Sequence, residues 1–302
     1  MATNTPATGE YPWLKNYPEH LDYFTQYEPK PLWCLWDKAA EDYRHRPFLD
    51  FMGRSFSYDQ IDQMISRAAK GFQDLGVGPG IKVGLFLPNC PQFVVAFYGI
   101  LKAGGTVVNY SPLYAEPELL HQIEDSQTDI MVTLNLEILY GKMERLMKES
   151  RLQKLVVATM PEVLPFPKSL LFPIVRRRDI ARVDRDSGHI PFQQLLNNDG
   201  NYAPMDIDTT DTAVLQYTGG TTGVPKGAML SHGALYINVL QGAGWADEIE
   251  FGAEKILAVL PFFHVFAMTG IMNLGIRIGA ELIMHPRFEL EAVMRDIAEK
   301  NP

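Results

Sequence analysis

The stretch Thr218-Gly219-Gly220-Thr221-Thr222-Gly223-Val224-Pro225-Lys226-Gly227 concentrates the residue types that could hold an anion. Its four glycines allow positive φ angles and a close backbone approach to a ligand. Thr218, Thr221 and Thr222 add hydroxyl donors, and Lys226 adds a cation with three N–H donors. Peptide N–H groups converging from such a turn form a concave anion site, which suits a polyphosphate. Ala213-Val214-Leu215-Gln216-Tyr217 and Ala228-Met229-Leu230 read as strands entering and leaving the loop. This is not the phosphate loop of kinases and GTPases, which follows its lysine with Ser or Thr to hold magnesium. Here Pro225 precedes Lys226 and Gly227 follows it. A plain Gly/Thr surface turn is the alternative, but hydroxyls, a closing lysine and apolar strands on both sides argue against it.

Other reactive residue types are less informative alone. His264 follows Pro261-Phe262-Phe263, where a histidine within an aromatic cluster is the simplest reading. Ser231-His232 does not complete a nucleophile elbow, since Met229 occupies its first glycine position, so Ser231 reads as a helix N-cap. His121 and Glu124 lie one turn apart on a helix with no further ligands at metal spacing, and no metal-binding residues are assigned.

Residues 217–232, YTGGTTGVPKGAMLSH, resemble the phosphate-loop signature of the adenylate-forming superfamily. Leu101-Lys-Ala-Gly-Gly-Thr-Val-Val-Asn109 with Ser111-Pro112-Leu113 is similar to that family's first core segment. Leu260-Pro-Phe-Phe-His-Val-Phe266 is similar to the segment carrying its active-site histidine. The 13–50 stretch and the insertion after Thr159 are most similar to bacterial long-chain fatty-acid–CoA ligases. The resemblance implies ATP-dependent activation of a fatty acid to an acyl-adenylate, then thioester formation with coenzyme A, with ATP and Mg²⁺ required. It assigns phosphate binding to Thr218, Gly219, Gly220, Thr221, Thr222, Gly223 and Lys226. It places His264 beside the acyl carboxylate, with Phe266, Met268 and Gly270 as candidate acyl-pocket residues. The family's adenine, ribose and magnesium segments and its C-terminal catalytic lysine have no counterpart here, so the 302-residue chain alone is expected to be inactive. Rival readings are a ligase for an aryl or short-chain acid, an ordinary ATPase or kinase, and a non-catalytic nucleotide-binding module.

With 46% hydrophobic and 21% charged residues the composition is that of a globular protein. A formal charge of −9 argues against a general nucleic-acid binder. Cys34 and Cys90 show no metal spacing, and the first residues lack a secretory signal, so a cytoplasmic protein is expected.

Strand and helix patterns alternate from residue 48 onward. Phe48 to Tyr58 reads as a hairpin turning at Gly53. Asp59 is the expected cap of a helix carrying Ile61, Met64, Ile65, Ala68, Phe72 and Leu75, and Gly76 its expected stop. Such alternation predicts an α/β fold of stacked parallel βαβ layers, the second incomplete. The expected division is an N-terminal segment 1–47, a first α/β subdomain 48–208 with an insertion at 160–189, and a second at 209–302. The insertion joins apolar residues 169–175 to Arg176, Arg177, Arg178, Arg182 and Arg185, making 168–185 a candidate for peripheral contact with a membrane. After the final helix pattern no strand returns, and an uncovered sheet edge makes homo-oligomerisation a further candidate.

Overall fold

The computed structural model describes residues 11–302 except 185, 187, 219–224 and 247. Helix α1 (Cys34–Asp42) precedes a hairpin of β1 (Pro47–Phe51) and β2 (Arg54–Ser57) that turns through Met52 and Gly53, both at positive φ. The predicted alternation follows: α2 (Tyr58–Asp74), β3 (Lys82–Phe86), α3 (Pro91–Lys102), β4 (Thr106–Asn109) and α4 (Glu116–Ser126). It continues with β5 (Thr128–Leu134), α5 (Glu137–Glu149) and β6 (Lys154–Ala158). The insertion contains α6 (Lys168–Val175) and runs into β7 (His189–Pro191) and the single turn α7 (Phe192–Leu195). A hairpin of β8 (Thr212–Thr218) and β9 (Lys226–Ser231) leads to α8 (His232–Gly244) and β10 (Lys255–Ala258). A short α9 (Val265–Ala267), a π-helical turn at Met268–Asn273, α10 (Leu274–Ile278), β11 (Glu281–Met284) and α11 (Leu290–Lys300) complete the chain.

The strands form two sheets. The larger has the order β7-β6-β5-β3-β4-β8-β9 and is parallel except for β9, which runs against β8. The smaller has the order β10-β11-β1-β2, with β2 antiparallel to β1. This is the expected mixed α/β fold with parallel layers. Strand pairing crosses residue 208 in both directions, however: β8–β9 complete the first sheet, and β1–β2 complete the second.

Helix α3 is buried on every face, which accounts for its continuous apolar sequence Phe93–Leu101. Its Phe93 ring meets Phe262 edge-on, and Tyr98 donates from its hydroxyl to Asn273 Oδ1 at 2.8 Å, tying the core helix to the π-helical turn. The cap of α2 differs from the sequence expectation. Ser57, not Asp59, is the N-cap: Gln60 N donates to Ser57 Oγ at 3.2 Å while Ser57 N donates to Gln60 Oε1 at 2.9 Å. This reciprocal pair satisfies two helix-end N–H groups at once, leaving Asp59 to pair with Arg44. Gly76 follows the helix at φ 91°, as expected of its stop.

Candidate functional site

The β8–β9 hairpin carries the phosphate-loop sequence at the carboxyl end of the larger sheet. Strand β8 is held on one side by β4, with Asn109 beside Gln216, and on the other by β9. Tyr217 lies opposite Gly227, and Thr218 opposite Lys226. A Cβ on Gly227 would approach the Tyr217 ring to 3.0 Å, so the glycine makes room for that ring. The buried Tyr217 hydroxyl donates to the Asp125 carboxylate, and burial together with that carboxylate holds the phenol well above its ordinary range. Thr218 and Lys226, the two ends of the predicted loop, are both exposed. Gly219, Gly220, Thr221, Thr222 and Gly223 lie outside the described residues.

Two buried amides hold the segment after β10 to the larger sheet, one of them from this hairpin. Gln216 Nε2 donates to Phe263 O at 3.0 Å, and its Oε1 accepts from Asn109 Nδ2 at 3.0 Å. Asn89, beyond the end of β3, donates from Nδ2 to Leu260 O at 2.9 Å and to Ala258 O at 3.3 Å. Its Oδ1 accepts from Phe262 N at 2.8 Å. Residues 258–263 are thus pinned from both sides to strand ends of the larger sheet. His264 follows immediately as the exposed N-cap of α9, with Phe266 N donating to Nδ1 at 3.4 Å.

The remaining predicted pocket residues diverge. Phe266 is exposed beside His264, whereas Met268 is fully buried with its sulfur 3.5 Å from Asn109 Nδ2. Gly270 lies in the π-helical turn with open space where a Cβ would stand. With Thr269 and Trp245 it borders a cleft of about 800 Å³, closed opposite by Tyr11, Tyr17 and Tyr23 of the N-terminal segment.

Asn89, Asn109 and Gln216 were not singled out by the sequence. Their only local signal is an amide inside or just beyond an apolar strand, a position that demands a hydrogen-bond partner without saying which.

Ser231 is the N-cap expected of it, accepting from Ala234 N at 3.3 Å. His232 is buried, and its Nδ1 accepts from Leu32 N at 3.2 Å. Burial pushes it down to about 4, so it is a neutral structural side chain. Among the described residues no cluster of three or more His, Cys, Asp or Glu side chains could hold a metal ion.

Residues 36–302 match the family model for AMP-binding enzymes, and the chain belongs to that family. The long-chain-fatty-acid–CoA ligase of Bacillus subtilis (strain 168) is 33% identical over 303 residues, covering 96% of this chain and 52% of that protein. The 4-coumarate–CoA ligase 1 of Arabidopsis thaliana is 28% identical over 244 residues, covering 80% of this chain and 40% of that protein. Among solved structures, a long-chain-fatty-acid–CoA ligase from Archaeoglobus fulgidus superimposes with a TM-score of 0.74 at 22% identity, over 92% of this chain and 51% of that one. The chain spans about half the length of the curated relatives it matches.

Proposed function

We propose that this chain is the phosphate-binding and acyl-positioning part of an AMP-forming acyl–CoA ligase whose substrate is a long-chain fatty acid. In the first half-reaction a carboxylate oxygen attacks the α-phosphorus of ATP, and pyrophosphate leaves. In the second the coenzyme A thiol attacks the acyl carbonyl and AMP leaves. No covalent enzyme intermediate is needed, so the protein's task is orientation and charge neutralisation. Lys226, at the mouth of the hairpin, is the phosphate counter-charge, joined by Thr218 and the loop between them. His264 faces the reacting carboxylate. Magnesium is usually held by one or two carboxylates together with the substrate phosphates, and Lys226 would add its charge to that of the ion.

The observation that carries the reading is the Gln216 amide joining the two segments. Gln216, two residues before Thr218, holds the carbonyl immediately before His264. The two stretches of chemistry-bearing sequence are therefore one unit, as a reaction between a carboxylate and a phosphate requires. The choice of a long-chain acid rests on relatives such as the Bacillus subtilis ligase, which exceeds the 4-coumarate ligase in both identity and coverage.

The test is pyrophosphate release by the full-length protein over a panel of carboxylic acids, with and without coenzyme A. Release with long-chain acids and coenzyme A is expected. Release confined to aryl or short-chain acids would overturn the substrate assignment, and none with any acid would overturn the activity.

A further inference from the structure

Helix α6 is unlike every other helix of eight or more residues among those described, because none of its residues is buried. Its sequence, Lys168-Ser-Leu-Leu-Phe-Pro-Ile-Val175, is almost wholly apolar. Phe172 turns back onto the core, while Leu170 is 64% exposed, Leu171 49%, Ile174 73% and Val175 74%. At about 100° per residue these four side chains fall within an arc of roughly 140°, a single face. Phe166, 80% exposed, and Met52 at the tip of the β1–β2 hairpin extend the apolar surface. Lys168 Nζ donates to Met52 O at 2.8 Å and fixes the two pieces together.

Beyond the helix, Arg176, Arg177, Arg178 and Arg182 are exposed. The segment is anchored there rather than loose: Glu137 N donates to Asp179 O at 2.8 Å, and Ala181 N to Asn135 O at 2.9 Å. Residues 168–182 hold five cations against one carboxylate, Asp179, within a chain of formal charge −9. A strongly basic rim around an outward apolar face runs against the charge of the rest of the molecule.

We propose that this face docks on an anionic lipid bilayer, with Phe166, Leu170, Ile174 and Val175 entering the headgroup–acyl boundary and the arginines meeting lipid phosphates. The charge complementarity selects an anionic surface, and the projecting aliphatic face selects one with an apolar interior. Monomeric surfaces rarely gather aliphatic side chains this way without a partner. The proposal stands independently of the reaction. It does have a geometric bearing on it: α6 follows the carboxyl end of β6, the same end of the sheet at which β8 finishes. Four strand steps separate them, roughly 19 Å at about 4.8 Å each.

The test is sedimentation of the full-length protein with vesicles of phosphatidylglycerol mixed with phosphatidylcholine, and with phosphatidylcholine alone. The protein is expected to prefer the anionic vesicles and to release as salt rises. The triple variant R176S/R177S/R178S should bind them about a hundredfold more weakly at low salt. The variant L170S/I174S should lose the binding that persists at high salt. All five substituted side chains are exposed, and unchanged thermal midpoints would verify that the variants fold. Equal binding by the triple variant and the parent, or no preference for anionic vesicles, would overturn the proposal. Binding abolished by a soluble acidic polypeptide and indifferent to L170S/I174S would overturn it in favour of an acidic protein partner.

Discussion

Replacing Asn89 by alanine removes three hydrogen bonds, but their losses are unequal. The bond to Leu260 O is only partly buried, so water can replace the amide at that carbonyl. Ala258 O keeps a second donor, His285 N at 3.2 Å. Phe262 is fully buried, and its N–H loses the acceptor that Asn89 Oδ1 supplies at 2.8 Å. An orphaned buried N–H costs about 1–3 kcal/mol, so Asn89→Ala is expected to destabilise the chain by roughly 2–3 kcal/mol. Asn89→Asp should cost more, because a carboxylate oxygen would then face the Leu260 and Ala258 carbonyls. Gln216→Leu removes the other attachment, at Phe263 O, and frees Asn109 from its partner. The two amides hold one short segment, so the double variant should be non-additive by about 0.5–3 kcal/mol. Urea unfolding of the single and double variants gives the stability terms. Pyrophosphate release by the full-length protein gives the functional one: misplacing the His264 segment should lower kcat at least tenfold, about 1.4 kcal/mol, more than it raises KM for ATP. An Asn89→Ala variant within about 0.5 kcal/mol of the parent and kinetically unchanged would refute the view that these amides position His264.

Lys226→Ala should weaken ATP use by roughly ten- to a hundredfold, the worth of a lost charge-assisted hydrogen bond of about 1.5–3 kcal/mol, read from kcat/KM for ATP in the folded variant. Burial holds His232 at about 4 against 6.5, so its stabilisation is full above pH 6.5 and is lost as pH falls toward 4. Acid titration of urea stability should show up to about 3 kcal/mol lost over that window, and His232→Asn should flatten that part of the profile. Gly227→Ala should lower stability by about 1–3 kcal/mol by pressing a Cβ against the Tyr217 ring, measured by the thermal midpoint.

How much of this was legible in the sequence depends on how local the deciding interactions are. The span of α2 was readable because Ile61, Ile65, Ala68 and Phe72 repeat at helical spacing and bury one face. Its cap was misread because Ser57 and Asp59 are both good capping types, and only the reciprocal bond with Gln60 decides between them. Helix α6 is not evident in the sequence of the insertion, since Pro167 stands immediately before it and Pro173 lies inside it. The division of strands between sheets was not legible. β1 finds β11 more than 230 positions later, and nothing within Phe48–Phe51 names that partner. Asn89 and Gln216 are hidden for the same reason: the carbonyls they hold are remote in sequence from either amide.

The pairing of Tyr217 with Gly227 fixes a parity. In an antiparallel ladder neighbouring residues face opposite sides, so a slip of one position would turn Lys226 away and present Pro225 or Gly227 in its place, neither of which carries a charge. Tyr217 resists that slip, since its ring needs the only glycine of β9 beneath it and its hydroxyl is hooked to Asp125 on a neighbouring helix. The side of the sheet on which the lysine stands is therefore set by the two strands and not by the residues that join them. What keeps the charged end on one face of the sheet is a ring, a glycine and a carboxylate, all of them outside residues 219–225.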